Sequence, residues 1–483
     1  MTTQTADTSL APVPHKGAIL AIVLLSYFMI LLDNSVIFTS LPSLEADLDL
    51  STGELSWVQD AYTLVFGGLL LLGARAGDLL GRRAVFVGGL AIFSVASLLV
   101  GLADSAAWII AARALQGIGA AIVAPASLSL ITISFPAGRE QARAIALYAA
   151  TAGIGASLGM VVGGAFTELI SWRAGFFINV PIGIAMIILA PRFLPETARV
   201  KGRFDVLGAL TTTLGVGSIV FAIINAAESS WTSPVTLIAV AVGLVLLSAL
   251  VVTESRVEQP ILPLCLLASR MRVGGYLGRM LYLAAMIGFF FFTTQYLQGV
   301  LGFSPLQAGL GFLPMTVVNF AVAMLVPRII ARAGSTVPLT AGVALTLIGM
   351  IWLSRIGPDS DYLLSVALPM IVIGAGQGLV FAPLTSAGIS GVDEKDAGAA
   401  SGLVNTFHQL GASLGIAILV VAATAASTDT SPAVELSNQV SAALTAGSIL
   451  LGLCLVAVLA LILPAGLAYT REQRAHSTKK GMS

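Results

Sequence analysis

The stretch AILAIVLLSYFMILLDNSVIFTS, residues 18–40, decides how the rest of the chain is read. Its apolar run has the length that one transmembrane helix needs, about 20 residues, and yet it carries Asp33. An ionised carboxylate near the bilayer centre costs roughly 2.5–3.5 kcal/mol on insertion scales, so it normally faces a bundle interior or a wet cavity. Desolvation favours the neutral carboxyl and a neighbouring cation the charged one, so a group placed there can exchange protons near neutral pH. The alternative is a helix-end acid that reaches the headgroups, since only seven residues separate Asp33 from Ser40.

The composition agrees with a membrane reading: 57% of the 483 residues are hydrophobic and only 10% charged, against about a quarter charged in a soluble domain. A formal net charge of zero implies neither nucleic acid nor a polyanionic partner. Two cysteines, Cys265 and Cys454, are too few for a metal cluster or a disulfide framework. The polar tail Met1–Gly17 is followed by no small-residue cleavage site, so the first apolar run reads as a retained helix.

Apolar windows place spans at Ala18–Ser40, Leu55–Ala74, Ala84–Ala103, Ala106–Ile131, Ala144–Phe166, Ala174–Pro191, Val206–Ala227 and Pro234–Thr253. Six more follow at Gly274–Gln298, Pro305–Val326, Val337–Ser354, Tyr362–Ser390, Gly398–Ala422 and Ala442–Tyr469. Fourteen spans put both tails on one side. With the N-tail in the cytoplasm, 20 of the 24 Lys and Arg fall in inner segments, the others being Arg113, Arg173, Arg279 and Arg355. That asymmetry sets the expected orientation.

Gly155-Ala-Ser-Leu-Gly159 in the fifth span recurs as Gly411-Ala-Ser-Leu-Gly415 in the thirteenth, 256 residues later. A fainter pair, Arg75–Gly81 and Arg328–Gly334, is offset by 253 residues. Concordant offsets argue for a duplication rather than a chance match in a Gly/Ala-rich chain. The expected organisation is an all-α polytopic protein: N-tail 1–17, a six-helix bundle 18–191, an inserted pair 206–254, a second six-helix bundle 274–469 and a C-tail 470–483. Parallel repeats of this kind bind substrate near the midplane between them in transporters.

The loop after the second span reads Gly73-Ala-Arg-Ala-Gly77-Asp78-Leu-Leu-Gly81-Arg82-Arg83. Gly73 and Gly77 let a helix end approach a neighbour, Gly81 suits a tight turn with positive φ, and Asp78 is placed to meet a helix N-terminus or an Arg as an inner gate. This loop resembles the signature loop of the major facilitator superfamily. Further stretches resemble its fourteen-span drug:proton antiporter branch. They are Leu32-Asp33-Asn-Ser-Val36 through Leu41-Pro42, Trp57-Val-Gln-Asp-Ala-Tyr62, Arg113-Ala-Leu-Gln116-Gly117-Ile-Gly119, Trp172-Arg173 with Phe177-Ile-Asn179-Val-Pro181, and Gly202-Arg-Phe-Asp205. The resemblance implies proton-driven export of hydrophobic or cationic compounds, with Asp33 and Arg113 as coupling residues, by a protein of the cell membrane.

On its own chemistry Arg113 needs a partner, because it lies inside a span and its pKa stays above about 12. Asp33, Gln116 or backbone carbonyls are candidates, and snorkelling to the outer surface is the alternative. Arg279, early in its helix, is expected to snorkel inward. Gly155, Gly159 and Gly163 form a small-residue face for close helix contact. The family's antiporter motif matches there, with Met160 where a proline is common. The pattern Gly155-x-Ser157-x-Gly159 is mid-helix and so lacks the turn a hydrolase nucleophile requires.

Tyr62, Gln116, Gln295, Tyr296, Gln298, Asn319, Gln377, Asn405, His408 and Gln409 are candidate substrate contacts; as hydrogen-bonding packing glue they have an equally ordinary reading. The run Phe289–Phe292 reads as lipid-facing and core packing. Asp60 and Glu168 are expected near outer helix ends, leaving Asp33 the one acid deep in a span. No nucleotide-binding loop or zinc pattern occurs, so neither an enzyme nor an ATP-driven pump is expected. The expected partners are a small-molecule substrate and the lipid bilayer, with no nucleic acid, no cofactor beyond the coupling proton, and function as a monomer. Facilitated or proton-coupled solute uptake, or a transport-inactive sensor or scaffold, are the competing readings.

Overall fold

The computed structural model describes residues 15–136, 138–196, 199, 205–256, 264–392, 397–427 and 431–465. Most of both tails, and the Gly202–Phe204 part of the motif before the inserted pair, lie outside the described residues. Among the described residues there are sixteen α-helices. In the first part these are α1 (Lys16–Leu48), α2 (Thr52–Leu80), α3 (Arg82–Gly101), α4 (Ala106–Ser134), α5 (Arg139–Leu169), α6 (Trp172–Phe177) and α7 (Asn179–Phe193). Then follow α8 (Val206–Glu228), α9 (Pro234–Glu254), α10 (Arg270–Gly299), α11 (Pro305–Gly311), α12 (Leu313–Ala333), α13 (Thr336–Leu353), α14 (Leu368–Gly388), α15 (Ala397–Ala425) and α16 (Pro432–Ala457). Among the described residues 13 helical stretches are long and apolar enough to cross a membrane, with α6–α7 and α11–α12 each counting as one. The 31-residue α5 is a further long helix.

Local chemistry sets the starts. Ser51 and Glu54 form a reciprocal capping box at α2, and Ser304 with Gln307 does the same at α11 behind Pro305. Gly81, at φ 101°, makes the turn from α2 into α3. Helix α16 starts at Pro432, ten residues before the predicted span, because Ser431-Pro432 supplies a start signal and its polar first turns extend beyond the apolar run.

Helices α1–α7 pack chiefly on one another, as do α10–α16, while α8 and α9 pair and α8 touches both α2 and α15. The repeated glycine sequence performs the same packing twice. A Cβ at Gly159 would lie 2.6 Å from Ser35 Cβ of α1, and one at Gly415 would lie 2.3 Å from the Ala284 backbone of α10. Lipid supplies little hydrophobic drive between helices, so such close backbone approach is what holds them together.

The two groups meet along a seam. At the face away from the start of α1, Gln298 donates to Thr39 O at 3.1 Å and Phe38 stacks on Phe290. Nearby, a Cβ at Gly164 would be 2.3 Å from Pro305 O, one at Gly309 would be 2.5 Å from Met160 O, and Glu168 accepts from Leu306 N. At that face α5 and α11 meet backbone to backbone. The Phe289–Phe292 run packs in the core: Phe289, Phe291 and Phe292 are buried and Phe290 is half-buried, which removes the lipid-facing expectation.

Candidate functional site: a buried ion pair

The small-residue face of α5 presses on α1 at Leu31, Leu32, Ser35 and Val36 through Gly155, Gly159 and Gly163. Between those contacts Asp33 points toward α4, fully buried. There Arg113, also fully buried, donates through Nη1 to Asp33 Oδ2 at 2.7 Å. The rest of the guanidinium is equally well served. Its Nη1 reaches Gln116 Oε1 at 2.8 Å, Nε reaches Val58 O at 3.0 Å and Nη2 reaches Gln59 Oε1 at 3.3 Å, while the Tyr62 ring lies 4.4 Å beneath it. Asp33 Oδ1 accepts from Gln116 Nε2 at 2.7 Å and Asn179 Nδ2 at 2.8 Å. Gln116 also donates to Ser97 Oγ, and Gln59 to Asn34 Oδ1.

Five elements thus converge on one carboxylate–guanidinium pair. Gly117, whose Cβ would be 2.7 Å from Tyr62 O, lets α4 lie close enough to α2 for Arg113 to reach Val58. The break at Ile178 between α6 and α7 puts Asn179 at the start of a helix facing Asp33. Two buried charges persist only when their partners are arranged this fully. The same arrangement makes the pair sensitive: protonating Asp33 removes the acceptor that Arg113 needs.

Tyr62 and Gln116, candidate substrate contacts from sequence, are buried in this network and serve Arg113 and Asp33. Snorkelling of Arg113 is ruled out by its zero exposure. Gln59, Ser97 and Asn179 are members that sequence reading did not single out. Asp60, expected near a helix end, is also fully buried, and neither oxygen has a hydrogen-bond partner among the described residues. The Ser413 hydroxyl of α15 faces it without completing a hydrogen bond.

The other candidates scatter. Gln298 ties α10 to α1, Tyr296 donates to Gly357 O at 2.7 Å, and Gln295 and Asn405 donate to their own helices at Phe291 O and Ser401 O. Gln409 packs on Gly67 of α2, Asn319 lies against Gly378 of α14, and the half-buried Gln377 keeps an unpartnered Oε1. His408 accepts from Arg279 at 2.9 Å, so Arg279 turns into the bundle and does not snorkel. In the Gly73–Arg83 loop, Gly73 packs on Ala121 O of α4, whereas Gly77 meets only Arg82 and makes no neighbour contact of the expected kind. Asp78 pairs with Arg82 at 3.0 Å, and Arg83 joins Glu196 and the carbonyls of Pro191 and Leu194. Helix α5 runs unbroken through Met160.

A family model described as Major Facilitator Superfamily matches residues 23–416. The chain belongs to the Major Facilitator Superfamily. Its similarity to individual members of the superfamily is extensive. It is 40% identical to the cephamycin export protein of Amycolatopsis lactamdurans over 91% of both chains. It is 36% identical to the puromycin resistance protein of Streptomyces alboniger over 94% of this chain and 92% of that one. Among solved structures, a POT family transporter in complex with 5-aminolevulinic acid matches with a TM-score of 0.66 at 12% identity, covering 90% of this chain and 95% of that one. As a major facilitator the chain is a transporter and not an enzyme.

Proposed function

We propose that this major facilitator is a proton-driven exporter of small amphiphilic antibiotics, working by alternating access. The buried Asp33–Arg113 pair carries the reading. A carboxylate held by one cation and two amides is poised between two charge states, and protonation leaves a guanidinium uncompensated at zero exposure. The states open to either side then differ in proton affinity, which is the differential binding that lets a gradient shift a two-state equilibrium. The export and resistance names of its relatives support outward transport.

In this reading the chain crosses the cell membrane fourteen times, with α5 as the fourteenth span and both tails cytoplasmic. Residues 18–191 and 274–469 form the rocking bundles and 206–254 the inserted pair. The face where α5 meets α11 is then external, and we read that contact as an outer seal. Asp33 and Arg113 couple the proton, the Gly73–Arg83 loop with Asp78 and Gly81 gates the cytoplasmic side, and Gly155, Gly159 and Gly163 form the sliding surface. Substrate needs no further cofactor and one protomer suffices.

Proteoliposomes holding the purified chain test this. An imposed pH gradient should drive accumulation of puromycin or a cephamycin in wild-type vesicles and not in Arg113→Ala vesicles. Equal accumulation with and without the gradient would refute proton coupling.

A further inference from the structure

Arg279 sits nine residues into α10, facing the seam, and takes part in none of the five ion pairs found among the described residues. Its Nε donates to His408 Nδ1 at 2.9 Å and its Nη1 to Phe381 O at 3.3 Å, with the guanidinium 4.5 Å above the Phe381 ring. A guanidinium carries five N–H donors, so its Nη2 end is left without a hydrogen bond among the described residues. The side chain is only half-buried although α14 and α15 close round it. Across the seam, Tyr27 of α1 lies within electrostatic reach, stacked on Tyr148 of α5 with ring centroids 4.0 Å apart.

The cation thus has the Phe381 ring beneath it, the stacked Tyr27 and Tyr148 rings across the seam, and no paired carboxylate among the described residues. Arginine keeps its charge in proteins, and an unpaired charge inside a bundle is costly. His408 cannot neutralise it, since the imidazole accepts through Nδ1 and carries no negative charge. What this surface lacks is a planar anion with an apolar body: a carboxylate matches the fork of a guanidinium, and flat rings match Phe381, Tyr27 and Tyr148.

We propose that Arg279, with Phe381, Tyr27 and Tyr148, forms a subsite for the carboxylate of an amphiphilic, ring-bearing substrate. The inference rests on the export reading and narrows it, from small amphiphilic antibiotics in general to those bearing an anionic group, in place of the hydrophobic or cationic compounds expected from the family resemblance. The aromatic rings come from both helix groups, so a bound substrate bridges the seam and its departure frees the groups to separate.

Equilibrium binding to the purified chain in lipid nanodiscs tests the subsite with N-dansyl-phenylalanine and its methyl ester, which differ only at the carboxylate. The acid should bind wild type about tenfold or more tightly than the ester. Arg279→Gln should erase that preference while leaving ester affinity and the size-exclusion profile unchanged. Arg279→Lys, which keeps charge but loses the fork, should show a smaller preference of the same sign. Absence of acid binding to wild type, equal affinities for the two probes, a preference that survives Arg279→Gln, or an undiminished one in Arg279→Lys would overturn the proposal. Binding needs no pH gradient. Acid preference without gradient-driven export would thus defeat the export reading alone, and gradient-driven export of the ester without acid preference would defeat this inference alone.

Discussion

Replacing Asp33 by Asn keeps the volume but not the pattern of hydrogen bonds. Three donors converge on the carboxylate: Arg113 Nη1 on Oδ2, and Gln116 Nε2 and Asn179 Nδ2 on Oδ1. An asparagine offers one carbonyl and one NH2, so whichever way it lies its NH2 meets a donor. Gln116 cannot turn to relieve this, because its Oε1 accepts from Arg113 and its Nε2 also donates to Ser97. Arg113 is then left buried with neutral acceptors only. Removing one partner of a buried pair costs about 3–5 kcal/mol, a fall in Tm of several degrees. The assay is thermal unfolding in detergent of wild type, Asp33→Asn, Arg113→Met and the double variant. The double variant, with no stranded charge, should lose less than the two single losses combined. An Asp33→Asn protein as stable as wild type, or strictly additive losses, would refute the reasoning. Gradient-driven export should be absent from Asp33→Asn in either case.

Asp60→Asn should behave in the opposite way, with Tm equal to or above wild type, since no cation pairs with Asp60 among the described residues and the Ser413 hydroxyl that faces it can serve an amide as well as a carboxyl; a drop as large as that of Asp33→Asn would refute this. Asp78→Asn removes a part-exposed pair spaced i, i+4, so stability should change by less than about 0.5 kcal/mol while cysteine labelling from the cytoplasmic side rises; unchanged labelling would exclude a gate role. Gly309→Ala puts a methyl 2.5 Å from Met160 O, which should cost about 1–3 kcal/mol and speed external labelling of a cysteine at position 306; a seam that stays protected would show that α5 and α11 are not the seal.

The fold was legible because each crossing needs an apolar run and the charges between runs take sides. Hydropathy reports contact with lipid, not helix, so it missed the polar first turns of α16 and the breaks at Ile178 and Phe312. Asp33 and Arg113 stood out because ionised groups are rare in such runs. Gln59, Ser97 and Asn179 did not, since amides and hydroxyls are common in helix contacts and their direction depends on packing. Asp60 was misjudged by counting from the start of α2. Its face carried a signal, because Asp60, Leu64, Gly67 and Gly68 follow i, i+4, i+7 and i+8, and the last three meet α8 or α15. Arg279 was misread because early position in a helix was taken for reach to the surface, whereas His408 and Phe381 draw it inward.

Helix α8 rests on both helix groups at once: Gly68 of α2 admits Thr213, Gly217 meets Leu64, and Val216 and Val220 cluster with Ala417 of α15. A splint laid across a joint limits how the joint bends. Rocking about the seam must roll one of these two contacts, while α9, held to α8 through Gly215 and Gly243, rides along. Cutting out residues 206–254 would therefore do more than shorten the chain. Lipid would cover Leu64 and Ala417 at little hydrophobic cost, but α2 and α15 would lose the shared rail that, in the proposed rocking motion, would keep their swing in one plane.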